Sequence, residues 1–72
     1  MKWIGLFDKT GERTGTLNVM CIRKLLVQEW NSGKWQIVAE LDGTYEVVRV
    51  SSTDYRSKAV AIEAMNDMYR RW

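Results

Sequence analysis

Two turn signals stand eight residues apart in this chain, and they restrict its fold more than any other feature. Asn31-Ser32-Gly33 suits a three-residue hairpin loop with glycine in the left-handed position, and Asp42-Gly43 suits a two-residue type I′ turn. With both turns in place, Trp30 pairs with Lys34 and Leu41 with Thr44. Counting back along the ladders, Val27 faces Ile37, Leu25 faces Ala39, Ala39 lies opposite Glu46 and Ile37 lies opposite Val48. Directly opposed residues point to the same side of a sheet. One side therefore carries Leu25, Val27, Trp35, Ile37, Ala39, Leu41, Val48 and Val50, an apolar face obtained from turn geometry alone.

The remaining segments attach to this unit. Residues 2–8 read as a short aromatic-rich strand, and 9–15, with two glycines, as a turn or exposed loop. Residues 16–30 read as a strand rather than a helix. At 100° per residue, Asn18, Arg23, Lys24, Gln28 and Glu29 scatter around a helical wheel, whereas Leu17, Val19, Cys21, Leu25 and Val27 share one strand face. Fifteen residues is long for one strand, so a bend or bulge is expected near Arg23-Lys24. Strands then follow over 34–41 and 44–51.

A helix is predicted over 54–71. Ser52, Thr53, Asp54 and Ser57 all offer N-cap chemistry. Ala61, Ile62, Met65, Met68, Tyr69 and Trp72 form an apolar stripe. Asp67 and Arg71 are a favourable pair, and Asp54 near the start with Arg70-Arg71 near the end suits the dipole. The predicted fold is α+β: a single antiparallel sheet of about four strands with one C-terminal helix packed on one face. Trp35, Ile37, Val48, Ile62, Met65 and Tyr69 should be largely buried between the two layers.

At 72 residues the chain is a single domain over 1–72, and it reads as a complete small protein. A chain of this size buries only about 60% of the surface its unfolded form exposes. Cys21 is the one cysteine and there is no histidine, so neither an internal disulfide nor a nitrogen–sulfur zinc site supports the core. Oligomerisation or dense packing remains, and four tryptophans supply apolar bulk.

Catalytic chemistry finds few candidates. Without histidine there is no base poised near neutral pH and no partner for a cysteine nucleophile. The apolar strand neighbours of Cys21 make it a buried structural residue in this reading. Acid pairs such as Asp8 with Glu12, or Glu40 with Glu46, read as ordinary solvated carboxylates. The stretch Asp8–Glu12 lacks the GK[ST] ending of a phosphate loop and the acidic ladder of a calcium loop. The expectation is a non-enzyme with no cofactor and no metal.

The second sheet face carries the functional expectation. The same register places Leu26, Gln28, Trp30, Lys34, Gln36, Val38, Glu40, Tyr45, Val47 and Arg49 there. A solvated face should be mostly polar; this one offers an aromatic and apolar centre with a mixed-charge rim, the composition of an interface. The expected partner-binding residues are Trp30, Val38, Tyr45, Val47 and Arg49, the partner being a second copy or another protein. The structural alternative is that the N-terminal strand or its loop folds over this side. The functional alternative is nucleic-acid binding: three strands and a C-terminal helix resemble the arm-type DNA-binding domains of phage-like integrases, with Lys34, Gln36, Arg49, Trp30 and Tyr45 reaching phosphates and bases. Glu40 and Glu46 in the same hairpin, and a net charge of only +2, speak against it.

From Gly33 onward the chain resembles the small YegP-like family, through Gly33-Lys34-Trp35, Asp42-Gly43, Ser51 or Ser52, and Tyr55-Arg56-Ser57-Lys58-Ala59-Val60-Ala61. The family usually has asparagine-glycine in its hairpin and often repeats the unit, neither of which is seen here, and the first 24 residues have no counterpart. The resemblance implies three strands plus a helix with Ser57 as N-cap, and no activity. In size and isolation the chain is also similar to accessory proteins of phages and prophages. The early apolar run Trp3–Phe7 is too short for a signal-peptide core or a membrane span, so the expected location is cytoplasmic, away from membranes.

Overall fold

The computed structural model describes residues 2–72, and it places the turn-defined unit where its glycines require. Strand β3 (Ile22–Asn31) and strand β4 (Lys34–Leu41) pair antiparallel, with Val27 opposite Ile37 and Leu25 opposite Ala39. Gly33 closes their turn at φ 85°. Strand β5 (Val47–Arg49) adds to the far side of β4. A helix, α1 (Lys58–Arg70), packs against β3 and β4.

The N-terminal third departs from the single-sheet expectation. Strand β1 (Trp3–Phe7) pairs with strand β2 (Arg13–Asn18) as a separate two-stranded sheet, so the protein has two antiparallel sheets, of two and three strands, rather than one of four. The supposed long strand 16–30 is cut by a 3₁₀ turn at Val19–Cys21. Asn18 initiates that turn, its side-chain oxygen accepting the Met20 N–H at 2.9 Å. Asparagine side chains compete with ladder hydrogen bonds in this way. Residues before the turn zip back onto β1, with Ile4 opposite Leu17 and Gly5 opposite Thr16. The bulge expected near Arg23-Lys24 is also present, as a register shift between Ile22 and Lys24.

Two register details differ from the sequence reading. Lys34 pairs with Asn31 rather than with Trp30, across a shift between Glu29 and Asn31. The Asp42-Gly43 turn is not type I′: Gly43 has φ 81°, but no non-glycine residue among those described has positive φ. Thr44 N–H donates to the Leu41 carbonyl at 3.4 Å, and positive φ at the third position alone is the mark of a type II turn. The connection then runs on to residue 46. Ala39 consequently faces Val48 instead of Glu46, and Val38 faces Arg49. The slip is an even number of residues, so every side chain keeps its side of the sheet.

The core therefore forms on the predicted face. Leu25, Ile37, Ala39 and Val50 are its buried centre, with Val27, Val48, Ala64, Met65 and Met68 packed against it. Ile4, Leu6 and Leu17 of the first hairpin also pack there, and β1 lies against β5. Tyr69 was expected inside but is 44% exposed; Ala61 is the buried helical residue. Trp35, Val48, Ile62 and Met65 are partly buried.

The helix begins later than residue 54. Tyr55 still exchanges both backbone hydrogen bonds with Trp35, each at 2.8 Å, so it is held extended. Ser57 then caps the helix by accepting the Val60 N–H at 3.2 Å. Asp67 pairs with Arg70, while the Nε of Arg71 donates to the Asp67 carbonyl. Cys21 is exposed, not buried, because the 3₁₀ turn lifts it out of the strand; its carbonyl accepts the Asp42 N–H at 2.8 Å.

Candidate functional site

The sheet face away from the helix divides into two unlike halves. One half is a hydrogen-bonded cluster centred on Arg49, whose side chain is 7% exposed. Its Nε donates to the Ser51 carbonyl at 2.8 Å. Its Nη1 lies 3.2 Å from Asp54 Oδ1 and also donates to the carbonyl of Lys9 and the side-chain oxygen of Gln36. The guanidinium stands over the Trp30 ring, 5.8 Å from its centroid. Trp30 in turn donates its indole N–H to the same Asp54 oxygen at 2.8 Å. Gln36 Nε2 continues the network by donating to Gln28 Oε1 at 3.1 Å.

A buried charge is tolerated only when paired and hydrogen-bonded. The five donor groups of a guanidinium suit it to such a junction. The groups it gathers come from β3, β4, β5, the 51–54 segment and the turn of the first hairpin. The structural alternative to an open patch is thus realised in this half, through Lys9.

The other half stays open. Val47 is 41% exposed and Tyr45, in the connection before it, is 92% exposed. Glu40, opposite Val47, is held between Arg23 at 3.2 Å and Lys24 at 3.8 Å. Leu26 and Val38 lie opposite each other, with Leu26 partly exposed and Val38 buried. Of the five residues expected to bind a partner, the fold thus gathers Trp30 and Arg49 into the polar cluster and buries Val38. Tyr45 and Val47 remain available. The set required for nucleic-acid contact is divided by the same arrangement: Arg49 and Trp30 are committed to Asp54, and Lys34 is separate and exposed.

Sequence reasoning missed Asp54 as the partner of Arg49, having read it as helix-capping. The signal that was present is the run Ser51–Asp54, which can leave the strand and return beside it before any helix begins.

In the first hairpin, Asp8 organises its own turn. Its Oδ1 accepts the Thr10 hydroxyl at 2.6 Å and the Thr10 and Glu12 N–H groups at 2.9 and 3.1 Å. The Thr10 hydroxyl is the main cause, and the Glu12 N–H the next, that holds this carboxyl below its ordinary value of 3.8. Among the described residues, no group of three or more Cys, Asp or Glu side chains is arranged to hold a metal ion. Among the described residues, no helix is long and apolar enough to cross a membrane.

Compared with protein-family models, with curated proteins and with solved structures, the chain gives no match.

Proposed function

We propose that this protein is a non-catalytic interaction module that self-associates through the open half of its outer sheet face, with Tyr45 and Val47 at the contact. The observation that carries the reading is the exposure of these two side chains, 92% and 41%, at the margin of a sheet face the helix leaves free. Tyrosine supplies a large contact area at low entropic cost, and the Arg23–Glu40–Lys24 cluster, whose Glu40 lies opposite Val47, supplies a mixed-charge rim. Further support comes from the core. Ile37 is the one large side chain among the described residues that is buried to below 2% exposure. A core this thin gains from association, and two-fold pairing of one patch on itself is the commonest oligomer geometry. In this reading the protein works in the cytoplasm, where the exposed thiol of Cys21 stays reduced.

Sedimentation velocity over a concentration series tests the proposal. The wild type is expected to sediment above monomer mass. The double variant Tyr45→Glu, Val47→Lys is expected to return to monomer with an unchanged helical circular-dichroism signal. A wild-type protein that stays monomeric at the highest concentration sinks the reading.

A further inference from the structure

A cavity of about 340 Å³ opens between β1, the 50–55 segment and the C-terminal end of the helix. It adjoins the Arg49 cluster at Ser51, whose carbonyl accepts from Arg49, but its lining includes neither Arg49 itself nor Tyr45 or Val47. Ile4, Phe7, Val50 and Met68 give it apolar walls, and Ser52, Tyr55 and Arg71 contribute the polar groups. Its size falls at the lower end of the range for small-molecule sites, about 300–1,000 Å³. Gly5 lines the wall where the Phe7 ring lies across it, so close that a Cβ there would come within 2.9 Å of the ring.

The charge inside this cavity is one-sided. Arg71 is the only ionisable cation lining it, and no carboxylate does. The three acids that directly neighbour lining residues in sequence are occupied: Asp8 by Thr10 and Glu12, Asp54 by Arg49 and Trp30, Asp67 by Arg70. Among the described residues, Arg71 makes no ion pair within 4 Å; its one side-chain hydrogen bond is from Nε to the Asp67 carbonyl at 3.3 Å. Its terminal nitrogens, which form the fork that recognises carboxylates, are left to an outside acceptor.

We propose that this cavity binds a small amphipathic carboxylate, with its hydrocarbon body against Ile4, Phe7, Val50 and Met68 and its anionic head at Arg71. An uncharged molecule of the same length fills the walls but leaves the guanidinium unanswered. A compact anion such as inorganic phosphate answers the guanidinium but leaves the walls wet.

The experiment is a two-dimensional amide NMR titration of the full chain with octanoate, with 1-octanol and inorganic phosphate as controls, in wild type and in Arg71→Gln. Arg71 is exposed, so its replacement leaves the fold intact, which the unperturbed spectrum checks. Octanoate is expected to saturate with a dissociation constant below about 1 mM, moving the amides of Ile4, Gly5, Ser52 and Met68. Arg71→Gln is expected to weaken it roughly tenfold, the worth of a charge-assisted contact. Octanol and phosphate should each bind much more weakly than octanoate. The proposal is overturned if octanoate shows no saturable shifts in that range, if the shifts fall elsewhere, or if Arg71→Gln binds octanoate as tightly as wild type. None of these outcomes depends on the oligomeric state, so this site and the self-association surface stand or fall separately.

Discussion

The indole N–H of Trp30 and the guanidinium of Arg49 converge on a single oxygen, Oδ1 of Asp54, at 2.8 and 3.2 Å. Trp30 comes from the end of β3 and Arg49 from β5, with the whole of β4 between them, so the carboxylate ties the two margins of the sheet together. Replacing Asp54 by alanine strands a guanidinium that is almost fully buried. The expected cost is about 2–3 kcal/mol, less than for a fully buried pair because Asp54 is itself partly exposed. Arg49→Met removes the charge along with the need for its partner. In urea unfolding, the double variant Arg49→Met, Asp54→Ala should therefore cost at least about 1 kcal/mol less than the two single losses added together. Strict additivity would show that the pair does not act as a unit.

Ile37 lies at the centre of the core, 1% exposed. Ile37→Ala should cost about 2–5 kcal/mol, a large share of the stability of a domain this small. Thermal melting of the variant at an unchanged temperature would refute the core assignment.

Tyr69 contributes to the fold from the surface. Its hydroxyl accepts the Leu25 N–H at 3.0 Å, a donor on the free edge of β3, and its ring meets Trp72 edge-on with centroids 5.4 Å apart. Tyr69→Phe should cost about 0.5–1.5 kcal/mol. Its distinguishing sign is hydrogen exchange at the Leu25 amide that speeds up by more than the loss of global stability accounts for, while the other β3 amides change only in step with that loss. Equal protection of that amide in both proteins would dismiss the edge-capping role.

Gly11 and Gly33 share nearly the same backbone, φ 86° and 85°, yet their surroundings differ. A Cβ at Gly33 meets open space, whereas one at Gly11 falls 2.7 Å from the Ser52 carbonyl oxygen. Gly33→Ala should thus show only the left-handed penalty, about 1–2 kcal/mol. Gly11→Ala should cost clearly more, because the first hairpin must also move off the 52 carbonyl. Equal melting temperatures for the two variants would mean that the hairpin does not press on the sheet as described.

The carboxyl of Asp8 should titrate below 3.8, and Thr10→Val, which removes the hydroxyl donor, should move its midpoint upward. The sign for stability follows from the lowered folded-state value. The carboxylate's contribution is fully present above the ordinary carboxyl range and is lost as pH falls through the lowered midpoint. Carboxyl-carbon NMR against pH measures both, and a midpoint that ignores Thr10→Val would remove the hydroxyl as the cause.

The β3–β4–β5 face assignment and the α+β class were legible in the residues because they rest on local rules, whereas the residues narrowed the helix cap only to Ser52, Thr53, Asp54 or Ser57, of which Ser57 is the one used. Turn residues set the alternation of side chains, and an even slip in register leaves each on its own face, so Ile37, Ala39 and Val50 reach the core although the Asp42-Gly43 turn is of another type. The break at Val19–Cys21 was not legible, since an asparagine inside a β-rich run can either continue the ladder or fold back to cap a turn. Which one occurs depends on whether Arg13–Asn18 finds β1 as its partner. The fate of Arg49 was likewise beyond local rules. On a strand face it looks like any exposed cation, and only the return of the 51–54 segment and the arrival of the Lys9 turn bring Asp54, the Ser51 carbonyl and the Lys9 carbonyl within reach. Sequence by itself determined which sides of the elements are apolar, through periods of two and 3.6 residues. The tertiary structure alone decided which polar groups on the other side are drawn inward. That depends on the sum of desolvation and pairing among groups far apart in the chain, and no local period encodes it.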